Sequence, residues 1–404
     1  MKNLYQLTTL LIALLISLSL SAQQWDNVGN AGFSAGVTEY NDMAMDGNDT
    51  PYVVFRDNSN SGKVTVMKFN GNAWETVGTA GFSADAASYI SIAINSNGIP
   101  YVAYKDFGTS GNGGITVKKF NGTVWETVGS EGFSGSYIFY TDIAINSNGT
   151  PYVVYSSGGS INKPTVKKFD GNDWVTVGNP AFSTSYVGST CIAINSNDII
   201  YVGYSDGGSS DKATVMSFND GANIWAVVGI AGFSTGDVYS PSIAINNTDT
   251  PYVVYSDDGN SLKATAMKFN GTAWVPVGNA NGFSVSYTAF TDIAISSNGI
   301  LYVVYRDAGN SLKATVMKFN EGANVWETVG SAGFSAGQAN YTSISINSSG
   351  KPYVVYQDGG NSNKATVMKY GTTNPSIPIS DWALYSGIFL IIGFVVIRYL
   401  KDMV

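Results

Sequence analysis

The sequence predicts an all-β fold: a seven-bladed β-propeller of four-stranded antiparallel blades, its ring closed by the N-terminal strand. Three observations predict it. One unit of 49 to 51 residues recurs seven times in tandem, each unit carries four strand patterns separated by turn residues, and side-chain size rises across the unit.

The repeat is anchored by a Tyr-Val pair and a tryptophan. The tyrosine falls at Tyr52, Tyr101, Tyr152, Tyr201, Tyr252, Tyr302 and Tyr353; the tryptophan falls at Trp25, Trp74, Trp125, Trp174, Trp225, Trp274 and Trp326. In the third unit the strands read as A (Ile143-Ala144-Ile145), B (Tyr152 to Tyr155), C (Thr165 to Phe169) and D (Trp174 to Val177). They are rich in β-branched and aromatic residues. Asn-Gly pairs such as Asn148-Gly149 and Asn121-Gly122 stand at the A–B and C–D turns, where positive φ is needed. Helix is expected only in the two terminal segments.

A four-stranded meander cannot cover both of its faces alone, and radial repetition covers them. Strand A carries Ala44, Ala93, Ala144, Ala193, Ala244, Ala294 or Ser345 at one place, whereas strand D always carries Trp. Blades converge near an axis and diverge outward, so small residues suit the inner strand and Trp the outer gap. The chain opens on a D strand at Trp25 and ends its last unit on a C strand, Lys364 to Tyr370. Pairing these two closes the ring. This closure resembles that of WD-repeat and NHL-repeat propellers. The Ile-Ala-Ile-Asn…Gly…Pro-Tyr-Val run is similar to the first two strands of NHL and related bacterial seven-bladed repeats.

Composition removes several function classes. The chain has no histidine, which excludes Ser-His and Cys-His mechanisms and the commonest metal ligand. A net charge of −8 argues against a nucleic-acid partner. The single cysteine, Cys191, sits where sister repeats carry Ser or Asp and reads as a small buried residue. No cofactor is expected.

The two ends differ from the body, which spans residues 23–370. Residues 1–22 read as a signal peptide, with Lys2, an apolar stretch from Leu10 to Leu20, and small residues at Ser21 and Ala22. Residues 371–381 form a linker with Ile377-Pro378-Ile379-Ser380-Asp381. Residues 382–404 hold an apolar run from Trp382 to Ile397 followed by Arg398 and Lys401. That run reads as a short transmembrane helix with its basic end in the cytoplasm. The tail resembles the tripartite C-terminal sorting signals of bacterial surface proteins, which implies export machinery and membrane as partners. A permanent single-pass anchor is the other reading.

Two sets of residues could carry function on the D–A and B–C side, whose connections are longer and vary. Tyr40, Tyr89, Tyr140, Phe290 and Tyr341 stand three positions before the first apolar residue of strand A, with Ser189 and Ser240 in units four and five. They read either as a stacking platform for a sugar or peptide at the channel mouth, or as a structural plug. Asp57, Asp106, Asp206, Asp257, Asp307 and Asp358 end strand B, with Ser157 in unit three and a Lys opening strand C in most units. These read as Asx turns with a lysine partner rather than as calcium loops. The arginines, Arg56, Arg306 and Arg398, look too scattered to hold a carboxylate. The repeats look too alike to contain an active site. The expectation is therefore a surface-held binding or adhesion module for glycan or protein, not an enzyme. The alternatives are a glycan lyase or hydrolase using Asp and Tyr at the mouth, and a structural surface-layer protein.

Overall fold

The structure, a computed structural model, describes residues 23–372 apart from 109–112, 136, 159–161 and 220. The expected signal peptide and transmembrane segment lie outside the described residues, as does nearly all of the linker. No helix among the described residues is long and apolar enough to cross a membrane.

Residues 23–372 form seven four-stranded antiparallel sheets. The first blade runs inner to outer through Thr38–Met45, Pro51–Asp57, Lys63–Phe69 and Trp74–Thr76. The last takes three strands from the C-terminal repeat, Ala339–Ile346, Pro352–Asp358 and Lys364–Thr372. Its outermost strand is Gln23–Asn27, from the start of the chain. The ring closes as the sequence predicts.

The second strands are the most deeply placed. Val53, Val102, Val153, Val202, Val303 and Val354 have no exposed surface. Buried on both faces, these strands read as unbroken apolar runs instead of alternating ones. Each inter-blade layer has its own cluster, such as Tyr52, Val54, Val66, Ile92, Val102 and Tyr104 between the first two blades. Inner-strand Ala44 packs at the edge of that cluster.

The outer tryptophans do more than fill a gap. Each indole stacks on the phenylalanine of the preceding unit's Gly-Phe-Ser segment, as in Phe33–Trp74 at 4.2 Å and 10°. Each indole N–H also donates to a valine carbonyl at the end of the previous outer strand; Trp74 reaches Val28 at 2.6 Å and Trp174 reaches Val128 at 2.7 Å. The glycine after that valine lies under the indole. At Gly78, with φ +71°, an added Cβ would meet Phe120 and Trp125 at 3.0 Å, so both conformation and space require glycine.

Two expectations change. The body contains helix as well: among the described residues, five B–C connections contain one turn of 3-10 helix, at Asn58–Asn60, Gly207–Ser209, Asp258–Asn260, Ala308–Asn310 and Gly359–Asn361. These five B–C connections are therefore alike, because the aspartate ending strand B caps each of the turns. Asp57 accepts from the Ser59 backbone N–H at 3.0 Å, from Asn60 Nδ2 at 2.7 Å and from Thr65 Oγ1 at 2.9 Å. The Asx turn holds, but the lysine partner does not. Thr65 and its equivalents take that place, and the ion pairs among the described residues lie elsewhere.

Candidate functional site

The inner strands surround a cavity of about 280 Å³ at one end of the channel. Its shape comes from a feature repeated in every blade. The pairing of strands A and B slips by one residue near the start of strand A, between Glu39 and Asp42 in the first blade and at the equivalent place in the others. Such a bulge re-aims side chains at a sheet edge. At its centre Tyr40, Tyr89, Tyr140, Ser240, Phe290 and Tyr341 adopt φ between 50° and 52°. Left-handed backbone at an aromatic residue is uncommon, costs on the order of 1–3 kcal/mol, and gathers at functional sites. The next blade helps to hold it: Thr190 Oγ1 donates to the Tyr140 carbonyl at 2.6 Å, and Thr342 Oγ1 donates to that of Phe290.

The structure brings the five sequence-selected aromatics together. Phe290 and Tyr341 have ring centroids 5.1 Å apart, Tyr341 and Tyr40 5.3 Å, Tyr40 and Tyr89 5.6 Å, and Tyr89 and Tyr140 5.4 Å. All five are half-buried. They form a continuous arc over blades six, seven, one, two and three, open at Ser189 and Ser240. Tyr40, Tyr89, Phe290, Tyr341 and Ser240 line the cavity directly. Burial pushes Tyr89 up to about 12 and moves Tyr40 and Tyr341 upward too.

Beneath the arc lies a second ring that sequence reasoning missed. Two residues after each bulge position stand Asp42, Ser91, Asp142, Cys191, Ser242, Asp292 and Ser343, all lining the same cavity. Each aspartate accepts from its own next backbone N–H and from the matching one in the following blade; Asp142 accepts from Ile143 and Ile192 at 2.8 and 2.9 Å. Serines link the carboxylates. Ser91 Oγ lies 2.8 Å from Asp142 and 3.1 Å from Asp42, and Ser343 Oγ lies 2.9 Å from Asp42. A hydroxyl has one proton to give. Ser91 is hydrogen-bonded on both sides only if one of its two acids carries a proton and donates it back. The carboxylates are partly open to the channel although protein surrounds them. Burial pushes Asp142 and Asp292 up to about 6, helped by the Asp42 charge, and raises Asp42 as well. The signal was in the sequence: this column reads Asp, Ser, Asp, Cys, Ser, Asp, Ser, which marks it as small and polar but not as a ring of acids. Cys191 is buried, and burial raises its thiol.

Repeat likeness also hid a third asymmetry. The next-to-last residue of strand B is Arg56, Lys105 and Arg306 in blades one, two and six, but Ser156, Ser205 and Ser256 in blades three to five and Gln357 in blade seven. No cluster of three or more His, Cys, Asp or Glu side chains suited to a metal occurs among the described residues.

No protein-family model matches the chain, and no curated protein matches it in sequence. Solved structures do match in fold. An ulvan lyase from a family of polysaccharide lyases, bound to -[GlcA(1-4)Rha3S]-, is 13% identical. It covers 83% of this chain and 94% of its own, with a TM-score of 0.57. A second structure of a polysaccharide-family ulvan lyase is 12% identical over the same shares, with a TM-score of 0.56. A Penicillium chrysogenum α-L-arabinanase complexed with arabinobiose is 13% identical, covers 71% and 94%, and has a TM-score of 0.47. At these identities the likeness is one of fold. It nonetheless corrects the expectation that the chain is not an enzyme. That expectation rested on the repeats being alike, yet these propellers are named for glycan-processing activity. The repeats here also differ where they face the channel. The likeness does not single out NHL-type repeats.

Proposed function

We propose that this protein is a glycan-active enzyme that holds a saccharide across the channel mouth and cleaves it there by hydrolysis. One observation carries the reading: carboxyls at about 6, Asp142 and Asp292, are coupled through serine hydroxyls to a third, Asp42, under an arc of aromatic rings in one cavity. Sugar faces stack on tyrosine and phenylalanine. Glycoside hydrolysis needs one protonated carboxyl to donate to the leaving oxygen and one ionised carboxylate to act as base or nucleophile. Neighbouring acids whose environments push protons into shared positions supply both forms near neutral pH. The half-buried phenols, held protonated by burial, leave the aspartates as the groups that can take up a proton. The ulvan lyase fold neighbours support saccharide as the substrate class. The signal-like N-terminus supports a place of action outside the cytoplasm.

The experiment incubates purified protein with neutral and acidic polysaccharides, reading new reducing ends and the ultraviolet absorbance of unsaturated uronates. Reducing ends without unsaturation are expected. Asp142→Asn and Asp292→Asn should slow their release by at least about a hundredfold. Unsaturated product, or variants that cleave at the wild-type rate, would overturn hydrolysis by the aspartate ring. Retention of a polysaccharide without turnover would overturn catalysis.

A further inference from the structure

We infer that the saccharide is anionic, a chain bearing carboxylate or sulfate groups gripped by Lys105 and Arg306 at the two flanks of the aromatic arc. The inference rests on the mouth being a glycan site. In a chain of net charge −8, cations at one strand position are confined to blades one, two and six. All three lie beneath the aromatic arc, whose other two blades, three and seven, carry Ser156 and Gln357 there; blades four and five, outside the arc, carry serine.

Arg306 lies against a ring of the arc, and Lys105 against a ring that packs on it. The Arg306 guanidinium carbon lies 4.8 Å from the Phe290 ring centroid. The Lys105 ammonium lies 5.1 Å from the Phe139 ring, which itself packs 6.2 Å from Tyr89. Arg56 lies close enough to Tyr40 and Tyr341 to act on their charge.

Their partners separate structural from unspent charge. Arg56 is matched by Glu39 at 3.6 Å, so it is largely neutralised. Arg306 donates to Asn340 Oδ1 at 2.6 Å, an uncharged partner, and its Nε, like that of Arg56, is buried with no hydrogen bond among the described residues. Lys105 is 8% exposed, and no ion pair or hydrogen bond of its ammonium occurs among the described residues. Burial lowers its proton affinity, a sign that its charge is uncompensated. A buried cation without a counter-charge is costly and uncommon unless an anion arrives from outside. With stacking rings between them, Lys105 and Arg306 form a frame for a sugar chain whose acidic groups are spaced along its length. The carboxyl ring stays below, under the bond to be cut.

The test measures binding of the purified protein to polygalacturonate (carboxylate), carrageenan (sulfate) and neutral arabinan in gel affinity electrophoresis, at low and raised salt. At least one acidic polymer should bind more tightly than arabinan and weaken steeply with salt. Whichever acidic polymer binds names the anion. Lys105→Gln and Arg306→Gln should each weaken that binding roughly tenfold and flatten its salt dependence, and wild-type affinity with an unchanged salt dependence in both variants would overturn their role. Melting temperatures confirm that the variants fold; if one does not, the wild-type salt dependence still decides. Arabinan bound as tightly as the acidic polymers, with no salt effect, would overturn the anionic substrate and leave the glycan site standing. No binding or cleavage of any polymer would overturn both.

Discussion

Replacing Trp25 by alanine removes the side chain that locks the ring. Trp25 is 8% exposed and stacks on Phe334 at 4.1 Å and 10°. It also tilts against Tyr370 at 5.5 Å and donates its indole N–H to the Val329 carbonyl at 2.8 Å. These contacts match those of Trp174, which lies inside an uninterrupted blade and stacks on Phe133 at 4.4 Å. Emptying such a site costs about 3–5 kcal/mol, and the stranded, buried Val329 carbonyl adds about 1 kcal/mol. Trp25→Phe keeps the stack and loses only the hydrogen bond, so it should cost about 1–2 kcal/mol. Urea denaturation followed by circular dichroism gives the ranking. Trp25→Ala and Trp174→Ala should fall together, with Trp25→Phe well above them. An unchanged midpoint for Trp25→Ala beside a large loss for Trp174→Ala would refute closure by the N-terminal strand.

The carboxyl ring makes stability depend on pH with a definite sign. Asp142 and Asp292 bind protons more tightly folded, at about 6, than at their ordinary 3.8, so ionising them destabilises the fold. Their contribution is fully present below about pH 4, is lost as the pH rises to about 6, and amounts to at most about 3 kcal/mol per carboxyl. Relative to Asp142→Asn/Asp292→Asn, the wild-type melting temperature should drop across that window; a relative rise would reverse the argument. Cys191→Ser should shift the melting temperature little, since Ser242 and Ser343 fill the matching place, and a loss above about 2 kcal/mol would show that the thiol's fit matters. Gly78→Ala forces a Cβ against Trp125 and Phe120 at φ +71°, so it should cost on the order of 1–3 kcal/mol, and a neutral result would show that the stack yields.

The fold was legible because its signals repeat. Seven tryptophans, seven Tyr-Val pairs and the D-strand start at Trp25 each state the ring independently. The aromatic arc was legible for the same reason, as a column in register. The bulge beneath it was not, because no glycine marks it: Tyr40 and its equivalents take the left-handed conformation that glycine usually signals. Repetition also concealed the site. Asp42, Asp142 and Asp292 lie roughly one hundred to two hundred and fifty residues apart and become neighbours only when the inner strands converge. Arg56 and Arg306 looked scattered along the chain for the same reason. The strand-B aspartates stood out in sequence and proved to be caps for 3-10 turns, because an Asp followed by Gly, Ser or Asn carries the same signature in a turn as in a site.

The central claim is that the channel mouth is where glycan is engaged. Hydrogen–deuterium exchange tests it directly, comparing the protein alone with the protein saturated by the polysaccharide it retains. The account predicts added protection at the start of the inner strands Thr38–Met45, Ala87–Ile94, Thr288–Ile295 and Ala339–Ile346, and in the second strands at Lys105 and Arg306. Val187–Ile194, where Ser189 leaves the arc open, should change least among the inner strands. Protection confined to the outer edges of the blades, such as the cavity lined by Tyr252, Lys268 and Lys318, would contradict it.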